Sequence, residues 1–246
     1  MPTVPILFSC YINDLVRRLK ELGYGVSIGD RDLTALLYAD DIVLMTNSAS
    51  EMQALIDEVD KFCAEWRLDL NPKKSQIMVV APNGVPSEES DSGDEPKYVW
   101  RGKALEVVPE YKYLGVIVTN KLLWDRHLST IVDKGKAALD KQRCLLAQRQ
   151  VPMKIKRLVL TAMVRSKLEY ASPVWYGNTQ HIQALESIQH AGCVWILRTN
   201  QKANVIALRT ILGLPSLQTR RTMLRLFYAG ILASEQIARH LAKTLP

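Results

Sequence analysis

The residues best suited to chemistry are two adjacent carboxylates, Asp40 and Asp41, which end a Tyr-Ala-Asp-Asp tetrapeptide. Apolar runs over Leu33–Tyr38 and Ile42–Thr46 flank the acids and predict two strands, so the tetrapeptide lies at a tight hairpin turn. Carboxylate oxygens are the hard ligands that Mg²⁺ prefers, and two such ions can activate an attacking hydroxyl and stabilise a leaving pyrophosphate. The pattern indicates phosphoryl-transfer chemistry, with Asp40 as the metal ligand and Asp41 as its secondary partner. The alternative is an acidic turn with no chemical role, since such turns are common between strands.

The elements around this turn are predicted to be a mixture of helices and strands. Apolar residues recur at helical spacing over Phe8–Leu22 and again from Met52 to Trp66, and Ser48 and Glu51 have the spacing of a capping box before the second run. Further strand-like runs occupy Tyr24–Ile28, Gln76–Val80, Tyr98–Trp100 and Tyr113–Val118. Residues 84–97 contain five acids and predict an exposed, mobile loop.

Beyond Asn120 the chain changes character, because strand patterns end and apolar residues recur at helical spacing. Helices are predicted near 127–149, 153–170, 180–198, 203–212 and 217–243, and Pro152 and Pro215 sit near helix starts, where proline is tolerated. The predicted fold class is therefore α+β, with an antiparallel sheet and helices over 1–119 followed by an all-α part. We expect the all-α part to divide into regions 120–178 and 179–246.

Charge is distributed unevenly between these two parts. Residues 1–119 carry 12 Lys/Arg and 19 Asp/Glu, whereas residues 120–246 carry 20 Lys/Arg and 6 Asp/Glu. We expect a continuous positive face on the helix that Pro152 starts, with Leu158, Val159, Ala162 and Met163 pointing inward. Its predicted phosphate-binding residues are Lys154, Lys156, Arg157, Arg165 and Lys167. A solvated basic surface without a nucleic-acid partner is the alternative.

The overall composition indicates a folded intracellular protein. Hydrophobic residues make up 48% of the 246 residues, enough to bury a core, which excludes global disorder. The four cysteines fit no metal-ligand spacing and are expected to be buried reduced thiols. The sequence has neither a signal-peptide pattern nor an apolar stretch of membrane length. We therefore expect a nuclear or cytoplasmic location and no membrane partner.

The order of several motifs resembles the second half of a reverse transcriptase from a non-LTR (LINE-like) retrotransposon. The resemblance rests on Pro5–Phe8, Tyr11–Leu15, Tyr38–Asp41, Leu68–Ser75, Tyr111–Val116, Trp124, His127 and Leu168–Gly177. It covers nearly the whole chain and weakens after about residue 200.

This resemblance implies an RNA-directed DNA polymerase that uses Mg²⁺ or Mn²⁺. Residues 1–119 would then be part of the palm, 120–178 a helical thumb and 179–246 a helical connector. The partners would be an RNA template with a DNA primer, or an RNA–DNA hybrid, and deoxynucleoside triphosphates. Lys74 would lie near the nucleotide phosphates, and the primer grip would contain Tyr113, Leu114 and Gly115. His127 is interpreted as a helix-start residue, and Trp175 and Tyr176 as packing residues in the thumb.

The sequence departs from the family at the second catalytic carboxylate. Side chains alternate across a strand, so Asp40 and Asp41 are not expected to face the same two ions, and a neighbouring strand must supply another acid. Residues 1–37 contain no strand-borne Phe/Leu-x-Asp segment of the family type, and Asp30 and Asp32 are poor substitutes. We therefore expect a truncated reading frame whose product does not polymerise DNA alone. Two other hypotheses are a non-catalytic nucleic-acid-binding module and a group II intron-like maturase, although the thumb motifs disfavour the maturase.

Overall fold

The computed structural model of the protein describes residues 3–29, 31–81 and 98–244. These residues form two compact units, which meet in the chain after Tyr111. The predicted acidic loop at 84–97 and Asp30 lie outside the described residues. Together the elements are a mixture of helices and strands, as the α+β prediction requires.

The first unit contains two long helices and several short strands. Its elements in chain order are α1 (Thr3–Glu21), β1 (Val26–Ile28), β2 (Arg31–Leu33), β3 (Ala35–Tyr38), β4 (Asp41–Leu44), α2 (Ala49–Trp66), a 3₁₀ turn (Pro72–Lys74), β5 (Gln76–Ile77), β6 (Val99–Trp100), β7 (Lys103–Ala104) and β8 (Glu106–Val107). The predicted start of α2 is confirmed, because the Ser48 hydroxyl accepts a hydrogen bond from the Glu51 amide.

Helices α1 and α2 pack through the apolar faces that their sequences predict. Leu15 and Leu19 of α1 are fully buried in the same core cluster as Phe62 of α2. At the edge of that core, Arg18 donates to both carboxylate oxygens of Glu65, at 3.0 and 2.5 Å. The paired helices provide the apolar surface against which the hairpin of β3 and β4 packs.

The strands pair only two at a time among the described residues, in the ladders β1–β2, β3–β4, β5–β8, β6–β7 and β9–β10. The prediction of one antiparallel sheet is therefore wrong for this part of the chain, and the β5–β8 ladder is parallel. Two-residue turns close hairpins between neighbouring segments, and strands of two to four residues offer little backbone for a second partner. Thr34 separates β2 from β3; its hydroxyl donates to the Tyr24 carbonyl at 2.6 Å and its own carbonyl accepts the Met45 amide at 2.8 Å.

The second unit starts within a hairpin and continues entirely as helices. Its elements are β9 (Glu110–Tyr113, shared with the boundary), β10 (Val116–Thr119), α3 (Asp125–Ala147), α4 (Met153–Val159), a π-helical segment (Leu160–Arg165), α5 (Ser166–Leu168), α6 (Thr179–Leu197), α7 (Val205–Leu212) and α8 (Leu217–Thr244). The predicted absence of strands after Asn120 is confirmed for the described residues. The β9–β10 hairpin groups largely with the helices, so the boundary between the units lies before the predicted one after residue 119.

The helix that follows Pro152 does not present the face that its sequence predicted. Leu158 is 60% exposed and Met163 is 52% exposed, whereas Leu160 and Val164 are fully buried. The predicted inward positions are therefore wrong for Leu158, Ala162 and Met163, whereas Val159 is partly buried against the core. This helix has apolar residues on several sides, so their spacing in the sequence does not select one buried face. The π-helical segment also changes the direction in which side chains point between α4 and α5.

Glycines allow close packing of α3 against α5 and of α6 against the π-helical segment. A Cβ atom at Gly135 of α3 would overlap Leu168 Cδ2, and one at Gly192 of α6 would lie 2.5 Å from Leu160 Cδ1. Both leucines are buried. The absence of a side chain at each position is therefore required by the packing of the core.

Candidate catalytic hairpin and nucleic-acid interface

Asp40 lies at the tip of the β3–β4 hairpin. The strands pair with Ala35 opposite Leu44 and Tyr38 opposite Asp41, which leaves Ala39 and Asp40 as a two-residue turn. Ala39 has a φ of 51°, a left-handed conformation that costs a non-glycine residue about 1 kcal/mol or more. The hairpin predicted from the sequence is thus present, with its acid at the turn.

The two faces of this hairpin differ in their surroundings. Ala35, Ile42 and Leu44 pack against the core of the first unit. On the opposite face Tyr38 is 63% exposed, and Asp41 is exposed beside it as its cross-strand partner. The core therefore anchors one face and leaves the acidic face open to a ligand.

The donor chemistry at this turn fits a divalent cation only in part. Asp40 and Asp41 are exposed carboxylates with hard oxygen donors. In the portion of the chain that the structure describes, no group of three or more acidic, histidine or cysteine side chains could hold a metal. Asp32 accepts a hydrogen bond from the Ser27 hydroxyl at 2.6 Å within its own hairpin. The described ligands are thus too few for a complete Mg²⁺ site.

Lys74 ends the 3₁₀ turn that follows Asn71. Its amide donates to the Asn71 carbonyl at 3.0 Å, which closes the turn, and its side chain is exposed. The structure records no contact of the Lys74 ammonium group with Asp40 or Asp41. A phosphate-binding role for Lys74 stays a prediction.

The second hairpin has its turn at Leu114 and Gly115, which interrupts the run Tyr113–Val118 that was predicted to be one strand. Their φ values of 45° and 82° are both left-handed, the combination that two-residue hairpin turns of type I′ require. The Tyr170 hydroxyl donates a hydrogen bond to the Leu114 carbonyl at 2.7 Å. A Cβ at Gly115 would lie 3.1 Å from the Tyr170 ring, so glycine permits this close approach. Tyr113 immediately precedes the turn at the end of β9.

His127 joins the same hairpin to helix α3. The side chain is 2% exposed, and its Nδ1 accepts the Ile117 amide proton at 3.2 Å. Burial, with a smaller effect of Lys134, lowers the pKa of His127 below its usual value. The neutral imidazole serves as a structural acceptor in the first turn of α3, where the sequence predicted a helix-start residue.

The basic residues of the helix after Pro152 do not share one exposed face. Lys156 is only 4% exposed and Arg165 only 5%, so the predicted continuous positive surface is wrong at these two positions. Arg165 donates to the Glu169 carboxylate at 2.5 Å, which neutralises its charge inside the unit.

Three of the predicted cations remain on the surface, namely Lys154, Arg157 and Lys167. Arg157 also donates to the Gly213 carbonyl at 3.3 Å. Nucleic-acid binding by these residues stays a prediction, and it concerns a smaller surface than the sequence indicated.

Sequence reasoning missed the residues that attach the C-terminal helix. Arg225 of α8 donates to the Trp175 carbonyl at 2.6 Å, and Glu186 of α6 accepts the Leu217 amide at 2.7 Å. Each contact joins residues more than 30 positions apart in the chain. The one sequence signal for these contacts is that Arg225 and Glu186 are charged residues among apolar ones.

The thiols also differ from their prediction as a buried set. Cys63 and Cys193 are buried, whereas Cys144 is exposed. Burial raises the pKa of both buried thiols, and it raises that of Cys193 to about 11.

Among the helices of residues 3–29, 31–81 and 98–244, none combines the length and apolar character of a membrane span.

The first part of the chain matches a known protein family. The reverse transcriptase (RNA-dependent DNA polymerase) family matches residues 1–118. This segment includes the hairpin that carries Asp40 and reaches into β10.

Several curated relatives cover different portions of the chain. A Pol polyprotein from the type-1 retrotransposable element R2 of Nasonia vitripennis is 28% identical over 47% of this chain and 11% of its own length. The RNA-directed DNA polymerase from mobile element jockey of Drosophila funebris is 24% identical over 79% of this chain and 22% of its own. A probable RNA-directed DNA polymerase from transposon X-element of Drosophila melanogaster is 23% identical over 84% of this chain and 23% of its own.

The protein thus spans between 11% and 23% of the length of these relatives. The two polymerase matches extend well beyond residue 118, so the helical unit is included in the similarity.

Proposed function

We propose that the chain supplies the catalytic hairpin, primer grip and thumb of an RNA-directed DNA polymerase, since residues 1–118 match the reverse transcriptase family and the chain is similar to such enzymes from retrotransposable elements. The observation that carries this proposal is the position of Asp40 at an exposed hairpin turn inside the family-matched segment.

In this proposal the hairpin presents a carboxylate to the reacting phosphates. Asp40 would contribute an oxygen ligand to Mg²⁺ or Mn²⁺, with Asp41 as secondary partner and the remaining ligands from another segment of a complete palm. When bound, the cation would supply charge neutralisation to the transferring phosphoryl group. The packing of Ala35, Ile42 and Leu44 against the core holds the turn in place. Asp40 can therefore act as a preorganised ligand.

The second unit would hold the primer and its template. The Leu114–Gly115 turn, supported by Tyr170, would contact the primer backbone, which glycine allows to approach closely. Exposed cations at Lys154, Arg157 and Lys167 would bind phosphates of an RNA–DNA hybrid. The thumb role of 120–178 and the connector role of 179–246 belong to the same proposal.

The experiment that tests this proposal restores a complete palm. Residues 1–246 are joined to the upstream fingers and palm segment of a related polymerase, and primer extension on a polyribonucleotide template is measured with Mg²⁺ or Mn²⁺. Asp40→Asn should abolish extension, since it removes the proposed ligand charge. The matched control Asp32→Asn, an exposed acid in the preceding hairpin, should retain it. Equal activity of Asp40→Asn and the parent fusion would refute the catalytic role.

A further inference from the structure

Trp175 and Tyr176 follow the turn at residues 169–174, and these two neighbours occupy opposite environments. Trp175 is 1% exposed and its indole Nε1 donates to the Tyr170 carbonyl at 2.9 Å. Tyr176, the next residue, is 66% exposed. Trp175 therefore provides the packing that the sequence suggested for both aromatics, and the core does not require the ring of Tyr176.

One face of the Tyr176 ring is covered by an arginine that is itself anchored. The Arg225 guanidinium carbon lies 4.2 Å from the centroid of the ring, within the range of a cation–π contact. The same guanidinium donates to the Trp175 carbonyl at 2.6 Å. Arg225 therefore covers one face of the ring, and because Tyr176 is 66% exposed, its other face is open to a ligand.

The charge beside this platform lacks compensation within the described part of the chain. Arg220 contacts the Glu169 carboxylate at 3.5 Å, but no described acid forms an ion pair with Arg221 or Arg225. Arg221 lies over the Trp175 ring, at 5.0 Å from its centroid. Burial and the charge of Arg225 both lower the pKa of Arg221. Two half-buried guanidinium groups of like charge would thus gain from an anion between or beside them.

We propose that Tyr176, Arg221 and Arg225 bind one nucleotide of a single-stranded nucleic acid. An unpaired base stacks on the open face of Tyr176, and the adjoining phosphate binds the guanidinium groups of Arg221 and Arg225. A base inside a duplex does not replace this ligand, because both of its faces already stack on its neighbours. The site deepens the proposed function, on which it rests, by adding a strand-binding position within the second unit.

The test measures binding of fluorescent oligo(dT), oligo(U) and a blunt DNA duplex to the full chain by anisotropy. Tyr176→Ala should weaken single-strand binding by about 5- to 150-fold and leave duplex binding unchanged, whereas Tyr176→Phe should retain the parent affinity. Arg221→Gln should weaken binding and reduce its salt dependence. The matched control is Tyr228→Ala, which removes a tyrosine that is 50% exposed on α8 but is not one of the three site residues.

Several results would overturn the site. They are an unchanged affinity in Tyr176→Ala, an equal loss in Tyr228→Ala, or an equal loss in Tyr176→Phe. Comparison of oligo(dT) with oligo(U) shows whether DNA or RNA is the preferred strand, since either supports the site. The binding arms do not depend on catalysis, so failure of the Asp40 experiment and failure of this site are distinguishable. Thermal melting of each variant identifies any loss that arises from unfolding.

Discussion

The Tyr170 hydroxyl donates a hydrogen bond to the carbonyl oxygen of Leu114 across 56 positions of the chain, at a distance of 2.7 Å. Trp175 in turn donates to the Tyr170 carbonyl, so a buried indole positions the tyrosine backbone. The tip of the proposed primer grip is therefore supported by the helical unit and not only by its own two strands. This contact gives the aromatic segment a specific role in positioning the turn.

Tyr170→Phe should loosen the Leu114–Gly115 turn while keeping the ring contact. Loss of one hydrogen bond at a partly exposed position should lower the free energy of unfolding by about 0.5–1.5 kcal/mol. Denaturant unfolding measures this change, and hydrogen exchange should accelerate at Gly115 and Val116. Tyr228→Phe, on the exposed surface of α8, is the matched control and should change neither quantity. Unaltered exchange in Tyr170→Phe would contradict the support role.

Substitution of the packed glycines should destabilise the helical unit. Gly135→Ala places a methyl group against the buried side chain of Leu168, and overpacking of this kind costs about 1–3 kcal/mol. Gly192→Ala should act similarly against Leu160.

Gly230→Ala provides the control for this prediction, because no heavy atom lies within 4 Å of its added Cβ. It should stabilise α8 by about 0.5–1 kcal/mol through helix propensity. Thermal and denaturant unfolding of the full chain distinguish the two signs, and a neutral Gly135→Ala would argue against the close helix packing.

His127 should make the stability of the helical unit depend on pH. Its pKa is lower in the folded protein than in the unfolded chain, so the unfolded state binds more protons between the two values. Stability is therefore complete above the unfolded pKa of about 6.5 and decreases as pH falls from there toward the folded pKa.

His127→Gln keeps an acceptor that can receive the Ile117 amide but does not titrate. The variant should show a smaller loss of unfolding free energy between pH 7.5 and 5.5 than the parent chain. His190→Gln replaces a histidine that contacts the Gln201 carbonyl and should keep the parental dependence. If both variants follow the parental curve, His127 does not determine it.

Much of the helical architecture could be predicted because apolar residues repeat with a helical period. The helices near 127–149, 180–198 and 217–243 correspond to α3, α6 and α8 within a few residues. Ser48 and Glu51 likewise located the start of α2 through local hydrogen bonding. These features depend on neighbours in sequence, which is why a single sequence contains the necessary information.

The remaining errors arise where distant packing decides between local alternatives. The helix after Pro152 has apolar residues on several sides, and only its packing against α3 and α6 selects Leu160 and Val164 as the buried set. The burial of Lys156 and Arg165 follows from that selection. Similarly, the contact of Tyr170 with Leu114 has no local signal, although both motifs were recognised separately. The sequence was sufficient to predict Asp40 and Asp41 at the turn of the candidate catalytic hairpin, but not to identify the residues that would complete a metal site.

Cations that remain exposed should contribute to hybrid binding, and their buried neighbours should not. For duplex DNA the logarithm of the binding constant falls with log salt at a slope of about −0.9 per phosphate contact. Lys154→Ala and Lys167→Ala should each reduce that slope by nearly one contact, because both side chains are exposed. Lys156→Ala is the matched control and should leave the slope unchanged, since Lys156 is 4% exposed. Binding that is insensitive to salt would contradict the phosphate-contact mechanism.

Residues 1–246 alone should not extend a primer, even though the hairpin that positions Asp40 is formed. Asp40 and Asp41 offer two adjacent carboxylates, and the described residues contain no larger cluster of metal-binding side chains. Two carboxylates compete poorly with the hydration shell of Mg²⁺. Without a fingers segment to hold the triphosphate, the 3′-hydroxyl would also not be aligned with the α-phosphorus. The measurement is primer extension by the unfused chain beside the fusion described above, under identical Mg²⁺ or Mn²⁺ conditions. Activity in the fusion only, abolished by Asp40→Asn, is the expected result. Clear extension by residues 1–246, abolished by Asp40→Asn and also by Asp32→Asn, would instead show that Asp32 completes the site within this chain.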